Sequence, residues 1–133
     1  MGLTHILDTD TCIYAINRRS DAIAEHLIRL EGQLGLSSIT LAELTFGAEN
    51  SSRVAQNLAS IYLFSKVVPP VDFDARAAAH FGEIKVALKR SGTPVGAFDM
   101  LIAAHARSLD VTLVTNNRRE FDRVPGLRVE TWL

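Results

Sequence analysis

Three carboxylates and a hydroxyl occupy positions where an α/β chain can gather them. Asp8 ends an apolar stretch, Glu43 lies on the apolar stripe of a helical segment, Asp99 falls in the first turn of another, and Thr115 ends a second apolar stretch. The following Asn116-Asn117…Glu120 run adds amides and a further acid. Hard oxygen donors of this kind suit Mg²⁺ or Mn²⁺; Mg²⁺ takes few carboxylates and keeps several waters. Beside a phosphodiester, such an ion helps water attack phosphorus and neutralises phosphate charge. Two like charges roughly 4 Å apart repel by about 4 kcal/mol at an effective dielectric of about 20. Gathered acids therefore need a cation, a shared proton or a basic partner, and a metal-dependent nuclease is the leading reading.

Taken singly, most of these residues have ordinary explanations. Asp8 or Asp10 can cap a helix, and Asp99 in a first helical turn suits the helix dipole. Glu43 is harder to dismiss, because Ile39, Ala42 and Phe46 on its stripe are expected to face the core, where an unpaired carboxylate is expensive. Asn117 and Glu120 are expected in a loop, where either can complete a metal shell directly or through water. The Thr115 hydroxyl can orient a water or a phosphate. Arg118, Arg119 and Arg123 follow at once and are candidates for phosphate contact. Lys85, Lys89 and Arg90 read as plain surface, His105 as a core histidine, Trp132 as a packing residue, and Cys12 as a small buried hydrophobe.

The elements that must position these residues alternate. Residues 3–7 read as a strand, followed by a helix to about Asn17 and a second over roughly 20–31 that Gly32 stops. Residues 34–37 form a weaker strand candidate, and a helix begins after Ser37-Ser38. Another runs from about Arg53 to Phe64, with Val54, Leu58, Ile61 and Tyr62 inward. Residues 66–69 suggest an edge strand, since proline interrupts a central one. A long helix spans 74–90 with Ala77, Phe81, Ile84 and Leu88 on one face. After a loop at 91–94, a helix over 96–109 carries Phe98, Leu101, Ile102, His105 and Leu109. Strands follow at 111–114 and about 127–131. This alternation predicts an α/β fold with a mostly parallel sheet covered on both sides. Ligands in such sheets bind beyond the strands' carboxyl ends, where Asp8 and Thr115 are expected.

The 133 residues suit one domain over 1–133, and 47% hydrophobic content allows a real core. The balance of 14 Lys+Arg against 15 Asp+Glu argues against a protein that coats nucleic acid by bulk charge. It leaves room for an acidic pocket with a local basic rim. The one cysteine, Cys12, permits no internal disulfide and no CxxC zinc pattern, which fits a reducing cytoplasm. No basic-then-apolar leader is visible, and no run reaches the roughly 18 apolar residues that span a bilayer.

The ordered motifs Leu7-Asp8-Thr9-Asp10…Ile13, Ile39-Thr40-Leu41-Ala42-Glu43-Leu44…Gly47, Phe98-Asp99-Met100-Leu101-Ile102-Ala103-Ala104-His105-Ala106 and Leu113-Val114-Thr115-Asn116-Asn117…Glu120-Phe121 resemble the PIN-domain ribonucleases. The resemblance is greatest to VapC, the toxin of VapBC toxin–antitoxin pairs, and runs from residue 3 to about 131. It implies a PIN-like fold in which Asp8, Glu43 and Asp99 hold Mg²⁺ or Mn²⁺ and Thr115 is the strand-end threonine. Many PIN domains carry a fourth aspartate where this chain has Asn117; Glu120 falls where many VapC proteins place an acid before phenylalanine. The resemblance also implies a VapB antitoxin partner, promoter-DNA binding only through that complex, a homodimer, and RNA as substrate. The segments 92–96 and 115–121 look like those of members that act on initiator tRNA.

Two other readings compete. Asp8-Thr9-Asp10-Thr11 matches the DxDxT opening of aspartate-nucleophile phosphatases, but too few residues follow Thr115 for that family's later motifs. An inactive PIN-type binding module is the other; the presence of all three principal acids argues against it. The expected chemistry is metal-assisted hydrolysis leaving a 5′-phosphate and a 3′-hydroxyl.

Overall fold

The computed structural model describes residues 2–133. Five strands, β1 His5–Leu7, β2 Leu34–Ser37, β3 Pro70–Val71, β4 Thr112–Val114 and β5 Val129–Glu130, form one sheet in the order β3-β2-β1-β4-β5. Every pairing is parallel. The helices are α1 Thr9–Ile16, α2 Asp21–Arg29, α3 Ser38–Glu49, α4 Val54–Val67, α5 Ala75–Ser91, α6 Ala97–Ser108 and α7 Arg118–Phe121.

Register explains the two-sided core. Ile6 is opposite Leu113 and Leu7 opposite Val114, and successive strand residues point to opposite faces. Ile6 and Leu113 pack with Ile84, Leu88, Ile102 and Phe121. Leu7 and Val114 pack on the other side with Ile23, Leu44, Phe64 and Trp132. Each such side chain contributes about 1.5–3 kcal/mol when fully buried. Gly35 in β2 is dictated by space, since a Cβ there would lie 3.0 Å from both the Leu3 and Val71 side chains.

The chain passes from β1 to β2 on one side and later places β4 on β1's other side. The carboxyl ends of β1 and β4 therefore flank the point where strand order reverses, the usual crevice of an open parallel sheet. The Asp8 amide extends this pairing by donating to the Val114 carbonyl at 2.9 Å.

Several expectations change. α4 continues to Val67, and the edge strand lies at Pro70–Val71 rather than 66–69. Proline disfavours helix in the residue before it, so the break comes at Val68-Pro69 and not earlier. Tyr62 and Phe98 are exposed. The largest correction concerns α3. Apolar residues lie on every side of this helix, so spacing alone selects no face. Thr40, Leu44 and Ala48 turn inward, while Phe46 is 70% exposed. Glu43 is consequently half-buried at the cleft rather than set in the core. Residues 118–121, expected as loop, form α7. Cys12, His105 and Trp132 are buried as expected, and Trp132 stacks on His26. Among the described residues, no helix is long and apolar enough to cross a membrane.

Candidate active site

Asp8 is positioned by two adjoining elements. It follows β1, and its side chain caps α1 by accepting from the Thr11 amide at 2.9 Å. Burial raises its pKa, while hydrogen bonds from Thr115 and Thr11 pull the other way. Thr115 is fully buried at the end of β4 and its hydroxyl accepts from the Asn117 amide at 2.9 Å. The two strand ends thus bring Asp8 and Thr115 into one site. Asp10 is exposed on the first turn of α1.

Glu43 reaches this site from α3. Its Oε1 accepts from the Thr9 hydroxyl at 2.6 Å, a contact across 34 residues. Thr9 Oγ1 also lies 3.2 Å from Thr40 Oγ1. A hydroxyl carries one hydrogen, and Thr40 and Glu43 both lie within reach of Thr9's, the Glu43 contact being the shorter. Thr9 thus supports Glu43, with buried Thr40 beside it. Neither Thr9 nor Thr40 stands out in the sequence, since nothing in the local pattern links residue 9 to residue 43.

Asp99 stands in the first turn of α6, and its pKa is raised to about 7. Burial is the largest cause, followed by the charge of Glu120, a hydrogen bond with Glu120, and the charges of Asp8 and Glu43. The Gly96 amide donates to Glu120 Oε1 at 3.0 Å and the Asn117 side-chain nitrogen donates to Oε2 at 2.9 Å. These bonds, the Gly96 amide first, hold the Glu120 pKa below the ordinary carboxylate value. Asp99 and Glu120 thus form a proton-sharing pair in which Asp99 takes the proton first. Asn117 caps α7 and holds Glu120. The amide of Gly96 was not foreseen, because α7 was read as loop and no short-range signal joins 96 to 120.

Arg118 and Arg119 lie on α7 immediately after Asn117 and are exposed. Arg118 pairs with Asp122 at 3.3 Å, while Arg123 donates to the Pro94 carbonyl at 3.0 Å. His105, expected in the core, is buried with Nδ1 2.7 Å from Ser37 Oγ, and burial lowers its pKa.

Among the described residues, no three His, Cys, Asp or Glu side chains converge tightly enough to enclose an ion in this conformation, since Glu43 turns to Thr9 and Asp99 to Glu120. The chemistry of the donor set nonetheless fits a hard divalent cation: the cleft offers carboxylate oxygens, and Asp99 already feels the repulsion of Asp8, Glu43 and Glu120.

A parallel sheet with acids at its reversal point defines a hydrolase-type cleft, and residues 5–127 match the family model of the PIN domain. The tRNA(fMet)-specific endonuclease VapC of Shigella flexneri is 46% identical over 130 residues, covering 98% of each chain. A ribonuclease VapC of Haemophilus influenzae is 44% identical over 131 residues, covering 98% of this chain and 99% of the relative. The DNA-bound VapBC structure from Salmonella typhimurium aligns with TM-score 0.96 at 44% identity, covering 98% of this chain and 99% of its own. The VapBC2 structure from Rickettsia felis, bound to a fragment of its promoter, aligns with TM-score 0.93 at 37% identity over the whole of both chains. This chain belongs to the VapC family of PIN-domain ribonucleases.

Proposed function

We propose that the chain is the toxin of a toxin–antitoxin pair and hydrolyses RNA at the cleft of Asp8, Glu43 and Asp99, with initiator tRNA as substrate. The observation that carries this reading is the gathering of Asp8, Glu43 and Asp99 at the carboxyl end of a parallel sheet, close enough that the charges of Asp8 and Glu43 act on Asp99. Similarity to an endonuclease named for tRNA(fMet) supports the substrate. Asp8, Asp99 and Glu43 would hold Mg²⁺ or Mn²⁺, which when bound neutralises phosphate charge and makes water a better nucleophile. Asp8 is fixed by its helix cap, Glu43 by Thr9, and Glu120 by Gly96 and Asn117, and from these positions the acids would close on the ion. Thr115 orients Asp8 through its hydroxyl. Arg118 and Arg119 contact RNA phosphates from α7. The products are a 5′-phosphate and a 3′-hydroxyl.

The partner is a VapB-type antitoxin, and promoter DNA is bound only through the complex. An apolar groove supports such a partner. It is lined by Ile16, Ile23, Leu27 and Ile28 on one side and Leu63 and Val67 on the other. It adjoins a second groove, sharing Ile16 and Ser60, that reaches Glu43. The family resemblance further implies a homodimer. The site of action is the cytoplasm, where buried, unpaired Cys12 suits a reducing environment.

Asp8→Asn tests this reading. Asparagine caps a helix as well as aspartate does, so the variant is expected to fold normally by circular dichroism yet neither cleave RNA nor arrest growth. Sequencing RNA ends after brief expression should show cuts in initiator tRNA. A folded Asp8→Asn protein with full toxicity, a 2′,3′-cyclic phosphate product, or full activity in excess EDTA would sink the mechanism.

A further inference from the structure

An acid-lined cleft repels the polyanion it cuts, so cations must lie within reach of it. Arg118, in an exposed pair with Asp122, and Arg119 supply some of these from α7, while Arg123 is held by the Pro94 carbonyl. On the other flank of the 92–96 loop, Lys85 and Lys89 rim a pocket of about 320 Å³, with Pro94 in its wall and Leu88, Val95 and Met100 as its floor. Neither lysine belongs to an ion pair among the described residues. The Lys85 ammonium lies 5.7 Å from the Phe81 ring centroid, which keeps its stem along the helix surface.

The pocket's lining is next to the cleft's residues along the chain. Val95 precedes Gly96, whose amide holds Glu120, and Met100 follows Asp99. Consecutive Cα atoms are about 3.8 Å apart, and one residue advances a helix by roughly 100°. Asp99 and Met100 therefore present neighbouring faces of the same first turn of α6. Gly92, with φ 67°, closes α5 in the left-handed conformation and turns the chain into this loop, while Arg123 ties the loop down at Pro94. Cations near a helix C-terminus also complement its dipole, which accounts for Lys89 by itself. It does not account for an apolar hollow beside the two lysines.

We propose that this pocket is a nucleotide subsite, which takes the base of one unpaired nucleotide beside the cleaved bond while Lys85 and Lys89 hold the flanking phosphates. The floor offers no donor or acceptor to a base edge, so it selects an unstacked nucleotide rather than a particular base. Bases within a duplex cannot enter such a pocket, whereas those of loops and bulges can. Met100 is suited to the role, since a flexible thioether adapts to different flat rings. The inference rests on the ribonuclease reading and adds to it the place on the surface where the nucleotide beside the cut is held.

Binding of a fluorescent RNA hairpin, carrying the cut site in its loop, to the full-length Asp8→Asn protein tests the subsite without turnover. Lys85→Ala/Lys89→Ala on that background should weaken binding and reduce the slope of log affinity against log salt by about 1.4, from about 0.7 per phosphate contact in single strands. Lys85→Arg/Lys89→Arg should restore both. An abasic nucleotide beside the cut should weaken binding by about fivefold, the low end for a base platform, with its neighbours unaffected. Unchanged affinity and salt slope in the alanine variant, or indifference to every abasic position, overturns the subsite while leaving the ribonuclease reading intact. Failure of the parent protein to cleave any RNA removes both.

Discussion

The side chains that decide the site are partly ones that do not look catalytic. Thr9 spends its hydrogen on Glu43, the nearer of its two acceptors, with Thr40 the farther. Groups that orient ligands typically change metal affinity or activity by about 10–100-fold when removed. Thr9→Val is therefore expected to weaken Mn²⁺ binding by about that factor in calorimetric titration, with Thr9→Ser recovering it; parent-like affinity in the valine variant would count against Thr9 as a positioning residue. Asp99 makes a second prediction. Its folded pKa of about 7 lies above the ordinary 3.8, so its stabilising contribution is fully present below 3.8 and is lost as pH rises through about 7. Asp8 shifts in the same direction, whereas His105, lowered by burial, loses stability as pH falls. Comparison with Asp99→Asn isolates the titration of the Asp99–Glu120 pair. In EDTA, the parent's Tm should fall relative to the variant's between roughly pH 5 and pH 8; parallel curves would refute it. Asp8, Asp99 and Thr115 were legible because each sits at an element boundary that the local pattern marks. The Thr9–Glu43 and Gly96–Glu120 bonds were not, because each joins segments that only the tertiary fold brings together.

The elements hold the acids at fixed spacing. Ser37 ends β2 and caps α3, accepting from the Ile39 amide at 3.1 Å, and it meets His105 of α6 at 2.7 Å. One hydroxyl thus links the helix that bears Glu43 to the helix that bears Asp99. Ser37→Ala removes the cap and leaves His105 Nδ1 without this partner, so a loss of about 1–3 kcal/mol is expected. A urea titration should show a lower midpoint with an unchanged slope, and an unaltered midpoint would show that the link is dispensable. Helices with one apolar face, such as α5, were readable from spacing. α3 was not, because apolar residues on all sides left the choice of buried face to its neighbours, and Phe46 lost that choice. The α4 boundary moved for a related reason: Val67 and Val68 suit either helix or strand, and only the following prolines decide.

The parallel alternation of the whole molecule was legible from the order of apolar runs and amphipathic segments, whereas strand order was not, since no local signal says that β4 crosses to the far side of β1. The molecule also carries an apolar groove with Ile28 77% and Leu63 67% exposed. Leu63→Asp is expected to abolish co-purification with the cognate antitoxin and to leave RNA cleavage by the free protein intact; retained capture would remove the groove as the docking surface. A last consequence follows from the pairing of Leu7 with Val114 and of the Asp8 amide with the Val114 carbonyl. β1 pairs with β2, which follows it closely in the chain, and with β4, which is separated from it by six helices. Contacts so distant in the chain also form slowly. Asp8 and Thr115 cannot meet until β4 has docked on β1, so a folding chain that already holds β1, β2 and their helices still has no assembled cleft.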